Sequence, residues 1–402
     1  MKRNWTPSQK NAIDARRGSI LVSAAAGSGK TAVLTERVIE RITDKENPTG
    51  IDRLLIVTFT RAAAQEMRER ISAAVSSLLR ENPGDVNLIN QQMLLPGAQI
   101  STIDSFCMNL VKENFQLLGI SPDFRTADES ELKVIKAAAM EKAIESMYED
   151  GGESFRTLVE VLFKGRDDSN LEAAMEKLYQ SAMSYPFPES RLSEFAESFR
   201  DGKSLSESIY GKRLISHLKE NLTYAIETSD EILSAIEGDD ELTKMLYDAA
   251  STDKAQCEYI LSFLDKGSWD EARRALFAFS PTRRGNTPKA LKDDPEATRL
   301  TDLRKKNTDR IRKLPEFMCT SEEEYRDDME FFFPLMESLV TCTKRFMTAF
   351  SEMKEEKKLA DFSDIAHMAL SLLVKETEDG FESTDFAKEI SLNYDEILID
   401  EY

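Results

Sequence analysis

Histidine is scarce in this chain: only His217 and His367 occur among 402 residues. That scarcity argues against a zinc site built on imidazoles and against a histidine-based catalytic triad. The four cysteines, Cys107, Cys257, Cys319 and Cys342, stand far apart, with neither CxxC nor Cys/His ligand spacing. They read as reduced thiols, in the core or on the surface, of a cytoplasmic protein. No stretch approaches the roughly 18 uncharged apolar residues that a membrane helix needs. The opening MKRNWTPSQK is basic but has no apolar run behind it, so it does not read as a signal peptide.

What is present is ordinary globular material, 41% hydrophobic and 31% charged, in a length that suggests two or three domains. The net charge of −20 argues at first against a nucleic-acid partner. Its distribution changes that reading. Residues 1–120 carry 15 Lys and Arg against 12 Asp and Glu, whereas residues 121–402 carry 38 against 61. The acidity belongs to the second part and need not repel a ligand held by the first.

The two parts also differ in pattern. SILVS (19–23), RLLIVTF (53–59) and QISTI (99–103) read as buried strands, with helical spacing over 30–43 and 61–81 between them. Strand–helix alternation of this kind predicts an α/β fold with a parallel sheet. NYDEILID (393–400) supplies one more strand after a gap of almost three hundred residues. Across that gap, from about 128 to 390, apolar residues recur at three- and four-residue spacing among Glu, Lys, Ala, Leu and Met. Asp128 or Ser130 is a plausible cap for the first of these helices. Breaks fall at MSYPFPES (183–190) and SPTRRGNTPKALKDDPEA (280–297), where Pro and Gly cluster. The simplest architecture is a helical domain inserted between two strands of one α/β domain.

AAAGSGKT (24–31) follows the first predicted strand and opens a helix near Lys30. A small-residue loop at a helix N-terminus cradles phosphate, because backbone N–H groups converge there and the helix dipole favours negative charge. Gly27 and Gly29 permit the turns, Lys30 would reach the β/γ-phosphates, and Thr31 would ligate Mg²⁺. The nucleotide-binding candidates are Ala24, Ala25, Ala26, Gly27, Ser28, Gly29, Lys30 and Thr31; Ala24 stands where the usual pattern has Gly. Opposite such a loop, an acidic strand end completes the metal shell and a neighbour polarises the attacking water. In ILIDEY (397–402), Asp400 would be the metal-side carboxylate and Glu401 the catalytic base, with Lys30 as its catalytic counterpart. Phe59, at a strand end, could stack on a base or belong to the core, and the same alternatives apply to Phe106. Thr58, Thr60, Arg61, Thr102 and Ser105 are short donors or a cation at strand ends, suited to phosphate oxygens. PTRRGNTPKALK (281–292) reads as a solvated, mobile linker, with contact to duplex DNA as the alternative. Asp361 and Asp364 in KLADFSDI (358–365) read as a helix cap in preference to a metal site.

Taken in order, WTPSQKNAI (5–13), AAAGSGKT, LLIVTFTRAAAQEMRERI (54–71), ISTIDSFC (100–107) and ILIDEY resemble five motifs of the UvrD/RecB-like superfamily 1 DNA helicases. The likeness is dense over 4–118 and 361–402 and thin between. Within that superfamily the flavour is that of the helicase–nuclease subunits of AddAB-type recombination complexes. Ala32 departs from UvrD-type translocases, which often carry arginine directly after the GKT threonine.

The resemblance implies a RecA-like P-loop sheet with a large all-helical insertion: a first motor part at 1–120, an insertion at 121–355, and a return at 356–402 ending on the Walker B strand. It implies that Gln9 recognises adenine through paired hydrogen bonds. It implies ATP and Mg²⁺ as cofactors, single-stranded and duplex-end DNA as substrates, 3′→5′ translocation, and an AddB-like partner in a heterodimer. ILIDEY stops before the Gln-Asp that the motif leads one to expect, so a second motor lobe and a nuclease domain are expected further on. The 402 residues alone are not expected to unwind DNA. The alternatives are a UvrD- or RecB-type repair helicase, and a nucleotide-gated DNA-binding module without motor activity.

Overall fold

The computed structural model describes residues 4–16, 18–25, 27–200, 204–378 and 380–401. The chain begins with α1 (Pro7–Asp14), α2 (Lys30–Ile42), β1 (Leu54–Thr58), α3 (Arg61–Glu81), α4 (Val86–Leu94), β2 (Gln99–Thr102), α5 (Ile103–Glu113), the short α6 (Phe115–Leu118), β3 (Arg125–Thr126) and α7 (Glu129–Asp150). It continues through α8 (Gly152–Leu162), α9 (Ser169–Met183), α10 (Pro188–Glu197), α11 (Ile209–Ala235), α12 (Asp240–Asp265), α13 (Trp269–Phe277) and α14 (Pro295–Ile311). Then come α15 (Glu322–Glu356), β4 (Leu359–Ala360), α16 (Phe362–Leu373), β5 (Val374–Thr377), β6 (Gly380–Ser383), α17 (Asp385–Ser391) and β7 (Glu396–Ile399). The described residues divide into two compact units, Met1–Met140 with Thr348–Tyr402, and Glu141–Met347, the boundaries falling inside α7 and α15. No helix among the described residues is long and apolar enough to cross a membrane.

The first unit is organised by a parallel sheet in the order β2-β1-β7. All five residues of β1 are buried, as expected of a central parallel strand covered on both faces. Register sets Thr58 opposite Thr102 and Val57 opposite Ile399, and the Asp400 N–H donates to the Val57 carbonyl at 2.9 Å. The C-terminal ends of the three strands are therefore level, with Thr58, Thr102 and Asp400 in one row. Helix α3 presents Ala64, Met67, Ile71 and Val75 at helical spacing to the core of Val38, Ile42, Leu54, Ile56 and Leu398. The expected strands at 53–59, 99–103 and 393–400 and the helices at 30–43 and 61–81 are all present.

The expected strand at 19–23 is not. Residues 19–23 make no strand pairing, and Ile20, Leu21 and Val22 are exposed, Leu21 at 79%. Aliphatic composition supplies strand propensity, but a strand exists only with a ladder partner. Among the described residues nothing pairs with this segment or with the outer edge of β7, where Ile397 and Ile399 are also exposed.

At the far end of α15, Lys354 is buried and donates to Asp361 at 2.9 Å and Asp364 at 2.6 Å. Those two aspartates close a reciprocal capping box at the start of α16, as the cap reading requires. Burial raises the Asp364 carboxyl against the opposing pull of Lys354. Asp128 rather than Ser130 caps α7: its carboxylate accepts from the Glu131 N–H at 2.9 Å.

Among the described residues of the second unit the regular elements are all helices. One of its clusters packs Leu218, Leu222, Cys257, Ile260, Trp269, Ile311 and Leu314, and the Trp269 indole donates to the Thr320 carbonyl at 2.9 Å. The basic loop 281–292 is tied down rather than loose. Thr282 N–H donates to Asp253, Gly285 N–H to the Met245 carbonyl, and Arg304 bridges Asp253 and the Thr282 carbonyl. A Cβ on Gly285 would lie 2.6 Å from the Lys244 carbonyl oxygen, so the close approach requires glycine. The buried Asp253 that organises this loop lay outside any local pattern.

Burial pushes the Cys257 and Cys342 thiols up to about 12, and desolvation with a hydrogen bond to Asp168 does the same for the Tyr148 phenol, to about 12. These folded-state values lie above the ordinary 9.0 and 10.0. Their stabilising contribution is therefore complete below pH 9 and is lost as pH rises from 9 towards 12, where the unfolded chain releases protons first. The urea midpoint of the helical unit should fall between pH 8 and pH 10.5. Iodoacetamide on the native protein should label exposed Cys319 well before Cys257 and Cys342. An equal labelling rate for all three would contradict the burial.

Candidate functional site

The segment from Ala24 to Thr31 turns into α2 through two glycines in the left-handed region, Gly27 at φ 76° and Gly29 at φ 85°. A Cβ at Gly27 would meet open space, so glycine is needed there for its dihedral and not for room. Ala26 lies outside the described residues. Ser28 N–H donates to the Ala25 carbonyl at 3.2 Å, closing the turn. Gly29 caps α2 without a side chain, and the first helical bond is Val33 N–H to the Gly29 carbonyl. The amides of the preceding turn are left for an anionic ligand. Lys30 folds back over the loop and its Nζ donates to the Ala24 carbonyl at 2.6 Å.

Thr31 Oγ1 donates to Asp400 Oδ2 at 3.1 Å, joining the first turn of α2 to the end of β7 across 369 residues of sequence. Two hard oxygen donors at this separation, on the rim where the parallel strands end, suit a magnesium-type cation. Among the described residues no cluster of three or more His, Cys, Asp or Glu could enclose a metal. A cation here would complete its shell from phosphate oxygens and water, which is the habit of Mg²⁺. Glu401, next in sequence, is exposed and carries a left-handed backbone at φ 61°. For a residue with a Cβ that conformation costs on the order of 1–2 kcal/mol, a strain that concentrates at functional positions.

Gln9 is engaged at both ends of its amide. Its Oε1 accepts from the Thr6 N–H at 2.9 Å in the capping box of α1, and its Nε2 donates to the Ser28 carbonyl at 3.1 Å. It thus ties the start of α1 to the phosphate loop.

An ion-pair lock fixes the register that makes the Thr31–Asp400 contact. Arg37 is almost wholly buried; its Nε meets Glu396 Oε1 at 2.5 Å and its Nη1 donates to the carbonyls of Ala12 and Ile13. Arg41 takes the other oxygen of Glu396 at 3.0 Å. One carboxylate on β7 is therefore clamped by two arginines of α2, and one of those also holds α1. Sequence reasoning missed this group. Its only signal was Arg37 and Arg41 four apart on a helix face otherwise apolar enough to be buried.

On the same rim Phe59 is 73% exposed and Arg61 is exposed. The hydroxyls beside them have local roles: Thr60 caps α3, Thr102 caps α5 and shares a 2.8 Å hydrogen bond with Ser105, and buried Thr58 donates to the Thr60 carbonyl. Phe106 packs, partly buried, against the core of Leu110, Val111 and Ile365, which makes it a core aromatic. The structure brings together Gln9, the loop, Lys30, Thr31 and Asp400, and leaves Phe59 and Arg61 free on the surface.

A glycine-turned loop opening a helix, with the carboxylate at the end of a parallel strand beside it, has the form of a phosphate loop without the strand that was expected before it. The chain belongs to the family described as UvrD/REP helicase N-terminal domain, which it matches over residues 5–402. It is 38% identical over 408 residues to a protein of Acetivibrio thermocellus named as a subunit of an ATP-dependent helicase/nuclease, covering 99% of this chain and 32% of the relative. Proteins of the same name from Lachnoclostridium phytofermentans and Thermoanaerobacter sp. are 38% and 36% identical, covering 100% of this chain and 29% and 33% of theirs. The chain spans about a third of the length of the curated relatives it matches. The likeness read from its motifs, to UvrD-like helicases of the helicase–nuclease kind, is borne out.

Proposed function

We propose that this chain carries the first RecA-like lobe of an ATP-driven DNA helicase, with residues 1–120 and 356–402 as motor and 121–355 as helical insertion. The observation that supports the reading is the 3.1 Å contact between Thr31 and Asp400, which brings the GKT loop and an acidic strand end together from far apart in the sequence. ATP would lie along Gly27–Thr31 with its γ-phosphate towards Lys30. Mg²⁺ held by Thr31 and Asp400 would neutralise phosphate charge. Glu401 would take a proton from water as that oxygen bonds to the γ-phosphorus and the bond to the β-phosphate oxygen breaks, releasing ADP and phosphate.

Single-stranded DNA would cross the strand ends with Phe59 against a base and Thr58, Thr60, Arg61, Thr102 and Ser105 near phosphates. The relatives' name supports a helicase–nuclease, and we read it as one of AddAB type acting in double-strand-break repair, moving 3′→5′ with an AddB-like partner. The test is strand displacement by the whole protein together with that partner, on duplexes carrying a 3′ or a 5′ single-stranded tail. ATP- and Mg²⁺-dependent unwinding from the 3′-tailed substrate is the expected result. Unwinding that ignores ATP, or proceeds only from the 5′ tail, would overturn the reading or its polarity respectively.

A further inference from the structure

The helical unit is acidic, yet between Arg283 and Lys313 the chain carries eleven Lys and Arg against five Asp and Glu. Part of that charge gathers in a groove of about 440 Å³ between α11 and the end of α14. Its lining is His217 and Asn221 from α11, and Lys306, Asp309, Arg310, Lys313, Leu314 and Phe317 from α14 and the turn after it. Lys306 and Arg310 lie one turn apart on α14 and Lys313 follows in the turn after it, and all three line the same groove. Among the described residues no carboxylate forms an ion pair with any of the three. The carboxylate in the groove, Asp309, is drawn instead towards Arg312, 3.7 Å away. Three like charges without counter-ions repel one another, and an anion relieves that repulsion.

The same groove offers flat apolar faces. His217 and Phe317 stand edge to face with ring centroids 4.9 Å apart, while Arg310 is held over the ring of Tyr224 just outside the lining at 4.2 Å. Phe317 is 41% exposed, beside buried Leu314 in the same lining. The Asn221 amide donates to the His217 carbonyl at 2.8 Å, fixing one wall. Cations interleaved with exposed rings match the chemistry of a single strand, whose phosphates need charge and whose unpaired bases need a stacking surface. A small metabolite anion would use the charges but not the rings, and duplex phosphates would leave the rings idle.

We propose that this groove is a second DNA-binding site, outside the strand-end rim, that holds a single strand through Lys306, Arg310 and Lys313 with a base against Phe317. It is independent of nucleotide and of the motor reading. The test uses the 402-residue chain carrying Phe59→Ala and Arg61→Ala, so that the rim contributes little. Fluorescence anisotropy with labelled dT20 and with a blunt 20-base-pair duplex is measured from 50 to 200 mM salt. Replacing Lys306, Arg310 and Lys313 together by Ala should weaken dT20 binding and make the log–log salt dependence shallower by about two, at roughly 0.7 per phosphate contact. Lys313→Gln alone, which removes one exposed charge and leaves the fold intact, should reduce the slope by roughly 0.7. Phe317→Ala should weaken dT20 by roughly five- to a hundredfold and leave the duplex unchanged. An unchanged salt slope in both charge variants would overturn the site. Equal losses for duplex and single strand on Phe317→Ala would overturn the single-strand assignment.

Discussion

Lys30→Ala should lower ATP turnover of the full-length protein by about 10²–10³-fold, the scale seen when one preorganised donor to a developing anion is removed. The Lys30 amine is the flexible cation of the loop and rests against the Ala24 carbonyl, one swing away from a γ-phosphate. Its loss also leaves the amides of the α2 N-terminus as the loop's main donors, so nucleotide affinity should fall as well. Glu401→Gln should behave differently: nucleotide binding is kept while turnover falls by about 10²–10⁴-fold, because the role proposed for Glu401 is proton removal alone. Steady-state phosphate release and binding of a fluorescent nucleotide separate the two outcomes. Turnover by Lys30→Ala within twofold of the unaltered protein would remove the loop from the chemistry.

Arg37→Ala should destabilise the sheet-bearing unit by about 3 kcal/mol, the cost of leaving a buried carboxylate short of its partner. The residue sits where three elements meet, and its side chain and that of Glu396 are only 10% and 17% exposed. Arg41 still holds one oxygen of Glu396 in that variant, which keeps the loss from being larger. Glu396→Ala removes the anion and strands two arginines, so its effect should be of similar size. The double substitution should cost less than the two single losses added, since each disables the same interaction. Urea unfolding of the four proteins measures the cycle. Strict additivity would show that the pair does not act as a unit. If Thr31 and Asp400 hold Mg²⁺ as proposed, Arg37→Ala should also weaken Mg²⁺-dependent nucleotide binding while leaving both residues in place, because the lock sets the register of β7.

The parts of this structure that were legible in the sequence are those set by local or near-local physics. The runs LLIVT and QIST are aliphatic and β-branched, and α2 and α3 have an apolar stripe, so both element type and boundaries followed. The capping box of Asp361 and Asp364 is a three-residue pattern and was readable for that reason. Residues 19–23 misled because their composition is that of a strand, while pairing depends on a neighbour that composition does not report. The Arg37–Glu396 clamp and the Asp253–Arg304 anchor were hidden by separations of 359 and 51 residues. Spacing along the chain carries no trace of such partners. Gln9 was legible as part of a motif, but its hold on the Ser28 carbonyl was not.

The 369 residues between Thr31 and Asp400 also amount to a delay. A ribosome adding about 5–20 residues per second delivers the phosphate loop roughly 20–70 s before the carboxylate that faces it. Through that interval Thr31 lacks Asp400, β1 lacks its β7 neighbour, and Arg37 and Arg41 lack their shared anion. The helical unit has time to fold first, from contacts that are mostly local. The rim that joins Thr31 to Asp400 thus closes only after the helical unit has emerged, and a nascent chain paused anywhere before Glu396 would carry the GKT sequence without its acidic neighbour.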